Sequence, residues 1–479
     1  MNLLTSAWIP VRKGGAFRHI SLKTLLCAEG KYHLSLYRDD METAALQLLI
    51  SLVQAAFTPK SNEELYQRVE QPLTEDEYAA VISPLDSWFE LNHDETPFMQ
   101  SLGVKAKGAT PIQKLFVGLP EGNNHAFFNP PGEIGAVCPS CAAIALFNQA
   151  SNCPSFGGGF KANLRGSAPV NTFVAGESLR QTLWLNVLTA GYASRILPNT
   201  AAEPRPTWLT TIKAGEKIQA QSIGLLRGLF WQPARLELIG EPRDGVCDSC
   251  QSSSNYLYSG FNKEKFVYSI EGMWPHPHSP QIWNLKKDGA IEKRRFISFT
   301  TAAPAWTQLN QYLVARSDSI PAPVVEQFKE LFSRRALNLY VSGYRNKQAA
   351  ILMRRHELFS MPEDWGKDDH LGRVISEALN ARSLLRRKLY GFAKKVGANI
   401  HEDAQQQFDR RSEALIHALL TDMSFKERKQ AYRIFRESVV GLARELFEQV
   451  TAPYRHSIAG MENYVKFKGS LNAEIAALS

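Results

Sequence analysis

The segment Ser155-Phe156-Gly157-Gly158-Gly159-Phe160-Lys161-Ala162-Asn163-Leu164-Arg165-Gly166 sets three glycines between two aromatics and then adds two bases. Backbone without side chains can lie flush against another polymer. Phe156 and Phe160 would anchor such a loop, and Lys161 and Arg165 would hold phosphates. A tight turn in a loop-rich domain gives the same pattern, so the run alone leaves both readings open. No G-x-x-x-x-G-K-[ST] loop accompanies it, which leaves nucleotide hydrolysis unsupported and predicts no nucleotide cofactor. No Ser/His/Asp or Cys/His arrangement can be nominated, so no catalytic residue is expected.

Four of the six cysteines form two Cys-x-x-Cys pairs, Cys138 with Cys141 and Cys247 with Cys250. A structural zinc takes four ligands in a tetrahedron, and two such knuckles supply them. The pairs stand far apart in sequence, so the metal would clamp a loop-rich domain rather than build a compact finger. Two unrelated pairs of reduced thiols are the alternative. A redox motif is disfavoured because neither pair shows a strand-to-helix turn in the sequence. In Trp274-Pro275-His276-Pro277-His278-Ser279-Pro280 the prolines hold the imidazoles in an extended run, which reads as a rigid turn. A metal-dependent nuclease using His276, His278 or His93 is the rival from another class. A structural zinc scaffold that binds only protein partners is a third reading.

Two further segments suit nucleic-acid contact. Phe261-Asn262-Lys263-Glu264-Lys265-Phe266 offers two lysines beside aromatics ahead of a strand expected over Phe266-Val267-Tyr268-Ser269-Ile270. Tyr344-Arg345-Asn346-Lys347-Gln348 lies between the apolar runs 337–341 and 349–353, the pattern of a hairpin with a polar tip. Either would also serve as an ordinary exposed turn.

The elements that must position these residues are legible in part. Trp8, Ile9 and Val11 precede Gly14-Gly15 and then Phe17, the signature of a hairpin. Asp39 and Asp40 are expected to cap a helix whose apolar stripe runs from 41 to 56, with Pro59 beyond it. Between about 90 and 300 the chain is rich in Gly, Pro, Asn and aromatics. After Pro362 only Pro453 interrupts a series of helical stripes, at Leu371, Val374, Ala378, Leu385 and Leu389, then at Phe408, Leu415 and Leu419, and then from Ile434 to Val450. A last segment runs from Ser457. The fold class expected is α+β: a large irregular mixed domain over 1–365, followed by an all-α four-helix bundle over 366–479.

The 479 residues carry a formal net charge of +8, with 44% hydrophobic and 21% charged residues. Such a chain buries a core and favours an anionic partner. The region 371–479 holds 18 Lys and Arg against 12 Asp and Glu, a net of +6 and most of the excess. The most apolar segment, 44–57, is broken by Gln47, Ser51 and Gln54, too short and polar to span a bilayer. The start lacks a basic, apolar leader. A cytoplasmic protein with no membrane partner is expected.

Together these segments make the chain similar to the CasA family, the large subunit of the type I-E CRISPR Cascade surveillance complex. The resemblance is carried by Met1-Asn2-Leu3-Leu4, Trp8-Ile9-Pro10-Val11-Arg12, Arg38-Asp39-Asp40-Met41-Glu42 and Pro97-Phe98-Met99-Gln100. It continues through Phe147-Asn148-Gln149-Ala150, the glycine loop, Arg227-Gly228-Leu229-Phe230-Trp231-Gln232-Pro233, the Trp274–Pro280 run and Gly343-Tyr344-Arg345-Asn346. It implies a non-catalytic antiviral-defence protein that recognises the short motif flanking a DNA target, the PAM, in duplex DNA and promotes R-loop formation. Partners would be other Cascade subunits, the CRISPR guide RNA, double-stranded target DNA and a recruited helicase–nuclease. By this resemblance Gly157, Gly158 and Gly159 enter the minor groove with Lys265. Gln348, flanked by Lys347 and Asn346, wedges beneath the first pair. Phe127, Phe128 and Asn129 dock on the guide's handle and a neighbouring subunit. Lys161 and Arg165, with Arg382, Arg386, Arg387, Lys394 and Lys395 of the bundle, are candidates for holding the opened strands.

Overall fold

The computed structural model describes residues 1–119, 132–286, 288–363, 365 and 370–477. The chain forms two compact units: Met1–Thr300 with Ala322–Leu331 and Tyr340–His356, and Thr301–Pro321 with Phe332–Leu339 and Glu357–Ser479. Mixed helix and sheet, with a helical C-terminal region, is the architecture expected from the sequence.

In the first unit, strands Ile9–Lys13 and Ala16–Ile20 pair antiparallel with Lys13 opposite Ala16. The two residues between them, Gly14 and Gly15, have φ of 56° and 84°. A two-residue turn of that hand is open to glycine and closed to most side chains. The helix Asp39–Ala56 is buried along almost its whole length. Its N-cap is Arg38, which makes no side-chain cap bond; Asp39 and Asp40 lie inside the first turn instead, at the positive end of the helix dipole. Asp40 is 0% exposed. It pairs with Arg38 at 3.1 Å and with Arg354 at 3.0 Å, and Arg354 also reaches Asp39 at 2.9 Å. A carboxylate this deep persists only because cations on two sides offset its desolvation.

The strands make small sheets of two or three. Arg235–Val246 and Ser253–Glu264 form a long antiparallel hairpin, with register shifts after Ile239 and Pro242. Asn171–Ala175 lies beside Leu337–Lys347, which lies beside Ala350–Met361. The strand expected over 266–270 starts only at Ser269, where Ser269–Glu271 pairs parallel with Lys217–Gln219. Phe266 and Tyr268 pack against each other at a tilt instead, with ring centres 4.9 Å apart, and Tyr268 packs on Trp231 at 5.9 Å. Two motifs that look functional in sequence meet in the core: a side chain on Gly228 would strike the Trp274 ring, at 2.1 Å from a ring carbon. Only glycine permits that approach.

In the second unit, helices His370–Val396, His401–Phe425, Arg428–Thr451 and Ile458–Ala476 form the C-terminal bundle. Leu371, Val374, Ile375, Ala378, Leu385, Leu389, Phe408, Leu419, Phe435, Val439, Leu442 and Leu446 are buried. Leu415, Ile434 and Val450 are only half-buried, and Ile416 is the buried neighbour in the second helix. Ser457 caps the last helix through the Gly460 amide at 3.0 Å. Among the described residues no helix is long and apolar enough to cross a membrane.

Candidate nucleic-acid interface

Three stretches distant in sequence converge in the first unit. Gly157, Gly158 and Gly159 all have left-handed backbone, with φ of 77°, 56° and 89°. Three such residues in succession make a loop that few side chains tolerate. The Phe160 amide donates to the Gly157 carbonyl at 3.0 Å, closing the turn. Phe156 packs against Phe160 at 5.5 Å and against Phe261 at 5.8 Å, so the aromatics do anchor the loop. The Lys265 Nζ donates to the Gly158 carbonyl at 2.9 Å. On the other side, a side chain at Gly157 would meet the Ala349 methyl at 3.8 Å. Ala349 sits at the hairpin tip beside Gln348, which is exposed with φ of 54°. Asn346 Nδ2 donates to the Gln348 carbonyl at 2.7 Å and steadies that turn. A cleft of about 150 Å³ opens here, lined by Lys114, Gln149, Ser155, Phe156, Ala349 and Leu352 among others. The lysine segment 261–264 is itself the end of the long hairpin rather than the approach to a new strand.

The bases named from sequence divide sharply. Arg165 is 6% exposed, and its guanidinium donates to Ser279 Oγ at 2.7 Å, the Ser151 carbonyl at 2.7 Å, Asn152 Oδ1 at 3.1 Å, and Asn171 Oδ1. Burial holds it down to about 9. It is a structural anchor at the foot of the glycine loop, which corrects its expected role on opened strands. Arg382 is also committed internally, forking onto Asp409 with Nη2 to Oδ2 at 2.8 Å. Arg387 pairs with Glu474. Lys161, Arg386, Lys394 and Lys395 are exposed. Phe127, Phe128 and Asn129 lie outside the described residues.

All four knuckle cysteines are buried, none is in a disulfide, and their sulfurs lie within 4.8 Å of one another. Cys138 and Cys250 are 3.7 Å apart. Zinc–sulfur bonds of about 2.3 Å in a tetrahedron place sulfurs about 3.8 Å apart. The cluster is therefore compatible with a zinc site. Hydrogen bonds from Cys138 and Cys141, whose own thiols are pushed up, favour the thiolate at Cys250 and at Cys247, the latter held to about 7. Thiolate is the form that a metal takes. Cys247 and Cys250 sit in the turn of the long hairpin, where the Cys247 amide donates to the Ser252 carbonyl at 2.9 Å. Cys138 is the N-cap of Pro139–Ser151, and Val137 before it makes a single isolated bridge to Tyr258. Asp248 joins the pairs by accepting from the Gly135 and Ala136 amides, each at 2.8 Å.

The histidine alternative does not fit its surroundings. His276 and His278 are 3% and 1% exposed. His276 Nδ1 accepts the His278 amide at 3.0 Å, and His278 Nε2 lies 3.1 Å from the Asn186 carbonyl. His93 Nδ1 is taken by the Glu95 and Thr96 amides, at 3.2 and 3.1 Å. Burial pushes His276 well below its ordinary value and His278 down to about 3. Both imidazoles are neutral in the fold. Because the unfolded chain binds protons from about pH 6.5 downward and the fold does not, their stabilisation is present above that value and is lost as pH falls toward 3. At pH 5 His278 alone should cost about 2 kcal/mol relative to pH 7. Urea unfolding of the full chain at the two pH values checks this; the loss should shrink in His278→Asn.

The fold is one that solved CRISPR-associated proteins share. CasA of Thermus thermophilus has the same fold over 99% of both chains, at a TM-score of 0.75 and 18% identity. Cse1 of Thermobifida fusca matches over 100% of this chain and 98% of its own, at 0.74 and 16%. A chain of a CRISPR RNA-guided surveillance complex matches at 0.63 and 15%, over 98% of this chain and 99% of its own. In sequence, the CasA/Cse1 protein of Thermus thermophilus is 24% identical over 259 residues, 51% of this chain and 50% of the relative. The chain thus spans about half the length of that curated relative in the aligned region. The family described as CRISPR-associated protein Cse1 matches residues 2–446, and the chain belongs to it.

Proposed function

We propose that this chain is the non-catalytic large subunit of a type I-E Cascade complex, reading the PAM in duplex DNA and starting the R-loop. The observation that carries this reading is the convergence of the three-glycine loop, Lys265 and the Gln348 tip on one exposed patch. Bare backbone fits a groove, and the minor groove's degenerate pattern suits recognition of several related motifs. Lys265 and Lys161 supply positive charge there, and Gln348, with Lys347 and Asn346, stands as the wedge. Residues 1–365 form the PAM-recognition domain, with Cys138, Cys141, Cys247 and Cys250 holding a structural zinc. Residues 366–479 form the bundle, where Arg386, Lys394 and Lys395 remain the candidates for the separated strands. Guide RNA, neighbouring Cascade subunits and a helicase–nuclease are the partners, in the cytoplasm.

Mobility shifts of the assembled complex on duplexes with and without a PAM test the reading. Equal binding to both would reduce the chain to a scaffold. Opening one stacked DNA step costs about 1.4 kcal/mol, which corresponds to about tenfold in rate. Gln348→Ala should therefore slow R-loop opening about tenfold in stopped-flow measurements while leaving assembly intact. Unchanged opening kinetics would remove Gln348 as the wedge.

A further inference from the structure

Lys263 and Lys265 are two residues apart at the end of the long hairpin, and both grip the glycine loop. Lys263 Nζ sits 5.2 Å from the Phe156 ring centre, and the neighbouring Phe261 packs on the same ring. Lys265 Nζ donates to the Gly158 carbonyl and would lie 3.3 Å from any Cβ on Gly159. Three successive glycines lose much conformational freedom on ordering, so a loop of this composition does not hold a left-handed shape by itself.

We infer that Lys265 is a positioning residue in the DNA-free protein: its ammonium straps the Gly158 carbonyl, with Lys263 and Phe261 fixing Phe156, and so presets the glycine loop before any duplex arrives. The inference rests on the reading of that loop as the DNA-facing element. It adds a second role for a lysine whose charge alone would suggest only phosphate contact. Pre-ordering moves the entropic cost of shaping the loop out of the binding step.

Limited chymotrypsin digestion of the full chain without DNA tests it. Cleavage after Phe156 and Phe160 reports loop opening, and cleavage after the exposed Phe425 serves as the reference. Lys265→Met keeps the length and removes the donor; nicking at the two loop sites should rise about three- to fivefold relative to Phe425, the scale of an exposed charged contact. Lys265→Arg keeps a cationic donor and should restore most of the protection. A methionine variant no faster than wild type, an arginine variant as fast as methionine, or an equal rise at Phe425 overturns the strap. Because DNA is absent, this failure is distinct from failure of PAM reading, which the duplex comparison decides.

Discussion

Replacing Cys141 and Cys250 together with serine should abolish metal retention and unfold the first unit. In the proposed zinc site each knuckle would lose one of its two sulfur ligands, which serine hydroxyls do not replace. A structural zinc contributes on the order of 10 kcal/mol to folding. That is comparable with the whole stability of an ordinary domain, about 5–15 kcal/mol. The loss would be local in origin and wide in effect. The cysteines bring the turn of the hairpin Arg235–Glu264 together with the start of the helix Pro139–Ser151, a junction a zinc would tie, and the far end of that hairpin carries Phe261 and Lys263 against the glycine loop. A strand freed at one end is open to a register slip, and a slip of one residue turns every side chain to the opposite face. Elemental analysis of purified chain should find one zinc per wild-type molecule and none in the variant, and calorimetry should lose one unfolding transition. A wild-type chain with no tightly held zinc, and a variant with an unchanged transition, would leave four reduced thiols and no clamp.

Gly158→Val should leave the fold almost intact and cost the assembled complex about a hundredfold in affinity for PAM duplex. Among the described residues nothing lies within 4 Å of a Cβ built on Gly158, and the residue is exposed. The internal cost is confined to the left-handed φ of 56°, about 1–2 kcal/mol for a residue with a Cβ. An incoming groove, by contrast, would meet a branched side chain where it needs bare backbone. A loss of about 2.8 kcal/mol is a hundredfold. Gly158→Asn separates the two terms, because asparagine tolerates this backbone hand while still adding bulk. Both variants should bind poorly in fluorescence titrations while melting within a few degrees of wild type. Normal binding by either would mean that the loop faces no polymer.

The glycine loop, the hairpin tip and the paired cysteines were legible because each depends on local chemistry. A positive φ demands glycine, a two-residue turn demands polar or small residues, and a tetrahedral metal demands thiolates in pairs. The bundle was legible for the same reason, since a buried face repeats along each helix. The misread residues were those whose role is set by distant neighbours. Arg165 follows the glycine loop as a base would follow a phosphate site, yet Ser151, Asn152, Asn171 and Ser279 surround it. His276 and His278, read from sequence as part of a rigid turn, have the burial of core residues, which tells against the rival metal reading. Arg382 reads as a free cation until Asp409, on the next helix, takes two of its three guanidinium nitrogens.

The sequence by itself determined which backbone is bare, which residues cluster as metal-type pairs and where the helical stripes begin. Tertiary structure alone decided that residues 157, 265 and 349 are neighbours, and which of the bases face solvent. The reason is physical. Turn geometry and helical period act over a few residues, whereas desolvation and ion pairing depend on what the folded chain brings from far away.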